Sequence, residues 1–203
     1  MTDVAEQQTP LDPLWDKAEE AAKRGDIAGV LFLWKALADK GVWQAYARIG
    51  ELYERGADGV EKNLDQALSW YRKAVFEGDD PVAHVGLGRA YYNGTGVECD
   101  YAAALRHFEK AFAGGLPEAG VYLGIMYYGG IGTARDARRA EKYLEFAAGS
   151  EYFFAYFKLA RIAFDEGKYL RGVRLWVKGW LLGLRISKQD PHDPRLLGIE
   201  KPA

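Results

Sequence analysis

Apolar and small side chains recur every three to four residues between residues 11 and 186. This is the period of an α-helix that buries one face. Short polar stretches rich in glycine interrupt the pattern at regular intervals, as turns between helices do. The pattern therefore predicts an all-α chain of short helices, with residues 1–10 disordered and residues 187–203 forming a C-terminal tail.

The helical stretches repeat. Three segments that begin at Ala45, Ala83 and Ala119, 38 and then 36 residues apart, align with one insertion. In each segment a glycine cluster separates two helical stretches, which predicts a hairpin of two helices. The first helix of each hairpin has a glycine at the same position, where a missing side chain lets the neighbouring helix approach closely: Gly50, Gly88 and Gly124.

Each loop between the paired helices shares two features. A glycine follows the first helix, where a positive φ lets the chain reverse: Gly56, Gly94 and Gly130. A short polar residue stands just before the second helix, where it can cap free backbone N–H groups: Asn63, Asp100 and Asp136. These residues predict that every loop is a hinge with a capped exit.

Weaker copies extend the pattern at both ends of the chain. The predicted units are residues 11–44, 45–82, 83–118, 119–154 and 155–186. Stacked hairpins of this kind bury a continuous core. We therefore expect a right-handed α-α superhelix, or solenoid, of about five antiparallel helix pairs.

The three central copies resemble Sel1-like repeats, which are relatives of the tetratricopeptide repeat with a longer glycine-rich loop. The resemblance is carried by "IGELYERGADGV", "LGRAYYNGTGV" and "LGIMYYGGIGT", each followed by its second helix. The last unit, with "EGKYLRGVRLW", is more similar to an ordinary tetratricopeptide repeat. The resemblance implies an adaptor that binds other proteins, and a short chain of this kind looks bacterial.

Composition indicates the cellular compartment in which the protein is expected. The single cysteine, Cys99, excludes an intramolecular disulfide and differs from the cysteine pairs of secreted relatives. The N-terminal residues lack the basic and apolar regions of a secretory signal, and no apolar run is long enough to span a bilayer. A net charge of −2 gives no reason to expect nucleic-acid binding. We expect a cytoplasmic protein that neither inserts into membranes nor binds nucleic acid.

The glycine loop "YYNGTGVECD" raises the possibility of a phosphate site, but it lacks the spacing and the preceding strand of phosphate-binding loops. His107 aligns with Trp70 and Tyr143 at a packing position. His84 and His192 pair with no other ligand-type residue at metal-binding spacing. The sequence therefore predicts no metal, no cofactor and no enzymatic activity.

The first helices of stacked hairpins line a concave groove in such solenoids. Residues at the matching positions change from polar to aromatic along the chain, and aromatic and arginine side chains dominate binding energy at protein interfaces. The alternative is that the aromatic residues pack against the adjacent hairpin. The predicted partner-binding residues are Glu51, Glu54, Val85, Arg89, Tyr92, Val121, Ile125, Tyr128, Phe154, Phe157, Arg161 and Phe164.

The last predicted helix has apolar residues on nearly all sides: Leu175, Trp176, Val177, Trp180, Leu181, Leu182, Leu184 and Ile186. A terminal helix of this kind needs a cover. The tail could supply Leu196, Leu197 and Ile199, or a second protomer could pack there. The chain is accordingly expected to be a monomer or a weak homodimer through this helix.

These features favour a non-catalytic scaffold that binds a segment of another protein in the groove. One alternative is an immunity or inhibitor protein that covers a toxin or an enzyme. An alternative of another class is an enzyme with its site in the groove, for which a deep pocket with converging carboxylates or histidines would be required.

Overall fold

The structure is a computed structural model that describes residues 13–189. Residues 1–10, expected to be disordered, and all but the first three residues of the expected tail lie outside this range. The predicted all-α fold is confirmed, since the described residues form ten α-helices joined by short loops. They are α1 (Pro13–Lys23), α2 (Ile27–Asp39), α3 (Gln44–Arg55), α4 (Leu64–Gly78), α5 (Pro81–Asn93), α6 (Tyr101–Ala113), α7 (Pro117–Gly129), α8 (Ala137–Gly149), α9 (Phe153–Asp165) and α10 (Tyr169–Gln189).

The chain divides into two compact units, residues 1–86 and 87–203, and the division falls within α5. In the first unit α1 packs on α2, α2 on α3, and α3 on α4. In the second unit α6 packs on α7, α7 on α8, α8 on α9, and α9 on α10. Successive helices therefore form hairpins, and each hairpin packs on the next within its unit.

The three predicted helix caps are confirmed. Asn63 Oδ1 accepts a hydrogen bond from the N–H of Gln66 at 3.0 Å, and Asp100 and Asp136 accept equivalent bonds from residues three positions later, both at 2.9 Å. Each cap satisfies a backbone donor that the first turn of a helix leaves without a partner. A capping bond of this type contributes about 1 kcal/mol.

The glycine loops are hinges, as predicted. Gly56, Gly94 and Gly130 have φ values of 68°, 67° and 68°, a region that costs a residue with a Cβ atom strain energy. Each loop is closed at its base by a backbone hydrogen bond. The N–H of Asp100, for example, donates to the carbonyl of Tyr91 at 3.0 Å. The chain thus leaves one helix, turns, and enters the next at a fixed point.

The glycines within the first helices accommodate a large side chain from the second helix. In the first unit, the ring of Tyr71 lies against Gly50 and Gly86, and a Cβ atom on Gly50 would lie 2.6 Å from that ring. In the second unit, Phe108 fills the same space at Gly88. Both rings are almost fully buried, and burial of such a side chain contributes about 1.5–3 kcal/mol.

The last hairpin reverses this arrangement. The glycine belongs to the second helix at Gly172, and the ring that covers it, Phe164, comes from the first helix. Farther along α10, Gly183 lies against Phe153 in the same way. The first helix of this hairpin therefore uses its aromatic side chains to bind α10.

Candidate functional site

In the first unit, the two predicted groove residues on α3 take part in structural contacts. Glu51 accepts a hydrogen bond from Arg48 Nη1 at 3.1 Å within α3. Glu54 Oε2 accepts one from the hydroxyl of Tyr71 at 2.6 Å. The second of these bonds fixes the orientation of the ring that joins α3 to α4, so Glu54 has a clear structural role.

Three of the predicted groove residues are buried and are not available to a partner. Val85, Tyr92 and Val121 are each no more than 3% exposed. Tyr92 packs edge-to-face with Phe108 and other rings, and burial raises the pKa of its hydroxyl to about 12. These three positions therefore belong to the core of the chain.

Arg89 is held by an ion pair. Its Nη1 lies 2.9 Å from Glu118 Oε1, and the two side chains are 19% and 29% exposed. The pair joins α5 to the beginning of α7. Partial burial makes such a contact stronger than an exposed pair, since water screens it less.

The phenylalanines of α9 are half-buried and pack mainly on their own hairpin. Phe157 lies 6.2 Å from Trp176 between ring centroids, and Phe164 covers Gly172. Phe154 stacks on Phe153 with centroids 4.2 Å apart. The alternative considered from the sequence placed these rings against the adjacent hairpin, whereas the observed contacts lie within one hairpin.

The remaining predicted residues of the second unit lie together on the exposed side of α7 and α9. The hydroxyl of Tyr128 donates a hydrogen bond to Asp165 Oδ2. Arg161 Nε donates to both oxygens of the same carboxylate, at 3.2 and 3.1 Å. The guanidinium of Arg135 lies over the Tyr128 ring, 4.9 Å from its centroid, a favourable cation–π contact. We call Ile125, Tyr128, Arg135, Lys158, Arg161 and Asp165 the α7–α9 face.

The hydrogen bond between Tyr128 and Asp165 polarises both groups. Donation from Tyr128, supported by Arg161, holds the pKa of Asp165 below its ordinary value. Partial burial, followed by the nearby carboxylate, raises the pKa of Tyr128. Asp165 is therefore an anion and Tyr128 a neutral donor near neutral pH, and the side chain of Arg161 remains 72% exposed beside them.

A pocket of about 220 Å³ opens next to this network. Its floor is apolar, and Lys158 and Arg161 stand at its rim with the Tyr128 ring. Small-molecule sites usually have volumes of about 300–1,000 Å³, so this pocket has the size of one large side chain. It is lined by Gly124, Ile125, Tyr128, Gly129, Ile131, Leu144, Lys158, Arg161 and Ile162.

Three members of the α7–α9 face were missed from the sequence: Arg135, Lys158 and Asp165. A signal for two of them was present. Lys158, Arg161 and Asp165 are the charged residues of α9, and their spacing of three and four residues places them on one side of an otherwise apolar helix. Arg135 belongs to a loop, where helical period gives no information.

Among residues 13–189, no three histidine, cysteine, aspartate or glutamate side chains lie close enough to hold a metal ion. No helix in the same range has the length and apolar character needed to cross a membrane.

Helix hairpins that stack in sequence define the class of helical-repeat proteins. Three segments, residues 43–78, 81–116 and 117–150, match the Sel1 repeat, and together they make up just over half of the chain. The chain belongs to the Sel1 repeat family. Proteins of this family generally mediate protein–protein interaction.

Solved structures of bacterial proteins share the fold. The protective antigen c5321 of uropathogenic Escherichia coli, described as having an SLR fold, is 31% identical, with a TM-score of 0.65. The alignment covers 78% of this chain and 36% of that chain, so the present chain spans about a third of its length. A Sel1 repeat protein from Oxalobacter formigenes is 23% identical with a TM-score of 0.67, over 89% of this chain and 83% of the other, which shows the fold alone.

A third similar structure is the immunity protein Pa5087 from Pseudomonas aeruginosa. It is 25% identical to this chain, with a TM-score of 0.59. The alignment covers 87% of this chain and 69% of that one. These comparisons confirm that the fold is a solenoid of helical repeats.

Proposed function

We propose that the protein is a non-catalytic adaptor that binds a segment of another protein on its α7–α9 face. The observation that carries the proposal is the pocket of about 220 Å³. It has an apolar floor and two cationic side chains, Lys158 and Arg161, at its rim. A peptide with a large apolar side chain beside an acidic one has the matching chemistry.

The size of the pocket favours a peptide over a metabolite, because the site admits one side chain rather than a whole small molecule. The network around Asp165 favours specific recognition. Asp165 neutralises part of the charge of Arg161 and holds its guanidinium in place, so less side-chain entropy is lost on binding. The acidic group of the partner then pairs with the exposed edge of Arg161 and with Lys158.

We also place this adaptor in the bacterial cytoplasm. The similar structures named above come from bacteria, and the exposed thiol of Cys99 suits a reducing compartment. Expression with a fluorescent tag, followed by cell fractionation, tests this location.

Selection from a phage-displayed random peptide library tests the proposal. The wild-type chain should enrich peptides in which a large apolar residue stands next to Asp or Glu. The double variant Lys158→Glu/Arg161→Glu should lose this enrichment. The matched control is Arg72→Glu/Arg106→Glu, which makes the same change in charge at exposed positions on α4 and α6 and should keep it.

Circular dichroism verifies that both variants keep their helical content. If the Lys158→Glu/Arg161→Glu variant enriched the same peptides as the wild type, binding would lie elsewhere and the proposal would be wrong. Enrichment of purely apolar peptides by both proteins would equally contradict a role for the cationic rim.

The second candidate is an immunity protein, and the similarity to Pa5087 over 87% of the chain favours it. An immunity protein forms a tight complex with one toxin, whereas an adaptor binds short segments weakly and reversibly. Co-expression with toxins encoded beside its gene distinguishes the two. Rescue of growth that survives the Lys158→Glu/Arg161→Glu change would favour immunity through another surface.

A further inference from the structure

Helix α10 exposes an apolar surface separate from the α7–α9 face. Eight large apolar side chains on this helix are between 40% and 90% exposed, and they include two tryptophans. Contiguous apolar surface of this kind usually marks an interaction site. We call these residues the α10 stripe: Tyr169, Leu170, Val173, Trp176, Val177, Trp180, Leu181 and Leu184.

The α10 stripe has the spacing of a helix–helix interface. Leu170, Val173, Val177, Trp180 and Leu184 follow one another at intervals of three and four residues. This heptad pattern keeps apolar residues facing a second helix along its whole length. The opposite side of α10, at Gly172, Gly179 and Ile186, is buried. The exposed stripe is thus suited to a helix that lies lengthwise on α10.

Comparison with α8 shows what kind of surface the stripe is. Gly172 and Gly179 of α10 align with Ala140 and Ala147 of α8. In that register, Trp176 and Trp180 take the positions of Leu144 and Ala148, which are buried in α8, the helix that packs on α9. The stripe therefore occupies the side of the hairpin that receives the next helix.

The same register indicates the chemistry of a helix that would cover the α10 stripe. Val173 and Val177 take the positions of Glu141 and Glu145, which bind Arg171 of the following hairpin at 2.6 and 3.5 Å. Valine side chains at these positions cannot form an ion pair with an arginine. The helix that covers α10 must therefore present apolar side chains where α10 presents Arg171 to α8.

The charges on α10 indicate which side chains should line the edge of the covering helix. The 21 residues of α10 include no aspartate or glutamate. Arg174, Lys178 and Lys188 follow one edge of the stripe, beside a depression of about 500 Å³ lined in part by Lys178, Leu181 and Arg185. A second copy of α10 would bring like charges together, which is unfavourable. Acidic side chains would pair with this edge.

We propose that the α10 stripe binds an amphipathic helix of another protein. That helix has apolar residues in a heptad pattern and aspartate or glutamate along the edge that meets Arg174 and Lys188. The docked helix covers both indole rings of the stripe.

Two synthetic peptides of three heptads test this proposal. Both have leucine at the two apolar heptad positions, and the flanking positions are glutamate in one and lysine in the other. Binding is followed by isothermal titration calorimetry and by the emission of Trp176 and Trp180 in a chain whose four other tryptophans are replaced by phenylalanine. The glutamate peptide should bind about tenfold more tightly than the lysine peptide at low salt, with a smaller difference at high salt, since salt screens exposed charges.

Variants assign the binding to α10. Val173→Glu/Val177→Glu should abolish binding of both peptides, because it removes the apolar centre of the stripe. Arg174→Glu/Lys188→Glu should reverse the preference in favour of the lysine peptide. The matched control is Arg72→Glu/Arg106→Glu, which should retain the preference of the wild type. Unchanged preference in the Arg174→Glu/Lys188→Glu variant would overturn the proposal.

Other occupants of the stripe give distinct outcomes with the full chain. Both indoles should be accessible to acrylamide in the free protein that keeps only these two of its six tryptophans, and sedimentation should show a monomer. Shielded indoles in a monomer would mean that another part of the chain covers the stripe, and a dimer that Val173→Glu/Val177→Glu dissociates would mean that a second copy does. Either result, or flotation with phosphatidylserine vesicles, would overturn the proposal.

Discussion

Helices α8 and α10 have the same position in successive hairpins of the second unit, yet their outer faces differ. On α8, Leu144 is buried and the neighbouring Glu141 and Glu145 bind Arg171. On α10 the aligned positions are Trp176, Val173 and Val177, all of them exposed by 40% or more. The apolar face of α8 is buried by its neighbour, whereas the corresponding face of α10 is exposed among the described residues.

A single repeat therefore does not bury all of its own apolar surface. Each hairpin leaves one apolar side that only the next element can bury. On α8 that element is α9, together with the charge of Arg171. The side chains of α10 differ from those of α8 in the way expected if they meet a different partner. Variants at aligned positions can test this interpretation directly.

The largest expected effect is at the aligned pair Leu144 and Trp176. Leu144→Ala should lower the free energy of unfolding by about 2–5 kcal/mol, because it creates a cavity in a closed interface. Trp176→Ala should cost about 1 kcal/mol, because half of its surface already faces water and no closed cavity forms. Urea denaturation measures both. Equal losses would mean that α10 is covered in the free protein.

The caps of the two helices should differ next. Asp136→Ala should cost about 1 kcal/mol through loss of the bond to the N–H of Arg139. At the aligned position before α10 stands Lys168, whose charge is unfavourable at a helix N-terminus. Lys168→Asp should raise stability by up to about 1 kcal/mol in thermal or urea unfolding. A loss of stability in this variant would show that the ion pair of Lys168 with Glu166 at 2.9 Å matters more than capping.

A smaller effect is expected where the two helices meet. Arg171→Ala removes the ion pairs to Glu141 and Glu145, and partly exposed pairs of this kind contribute about 0–1 kcal/mol. The loss should decrease when salt is raised, because the pairs are screened. Arg174→Ala, on the same helix, is the control and should show no salt-dependent loss of stability.

The smallest effect is expected at the centre of the exposed stripe. Val177→Glu gives α10 the residue that α8 has at this position, and it should change the free energy of unfolding by less than about 0.5 kcal/mol. Leu144→Glu, which places the same charge in the buried interface of α8, should unfold the second unit. Chemical denaturation followed by circular dichroism compares the two. A large loss in Val177→Glu would place Val177 in a covered interface.

The hairpins and their loops could be predicted because their causes are local. A short polar residue before a helix, as at Asp100, has one favourable role. A glycine such as Gly94 accepts a backbone conformation that other residues resist. Because these signals occur three times along the chain, they predict the hairpin fold without information about packing.

The exposed face could be predicted only in part, because it depends on how successive helices cross. Tyr92 and Arg161 belong to first helices with the same period, but neighbouring helices cover the first and leave the second in solvent. The last hairpin added a further change, since Phe164 fills the space at Gly172 instead of facing a partner. Helical period groups residues on one side of a helix, but it does not determine whether another helix covers that side.

The bond between the N–H of Asp100 and the carbonyl of Tyr91 has a practical consequence for protein engineering. It locks the loop at its base, so the tip near Gly96 can change in length while both helices keep their positions. The entropy cost of a longer loop grows only slowly, by about 0.6 kcal/mol for each doubling. Inserted epitope tags should be tolerated at this tip.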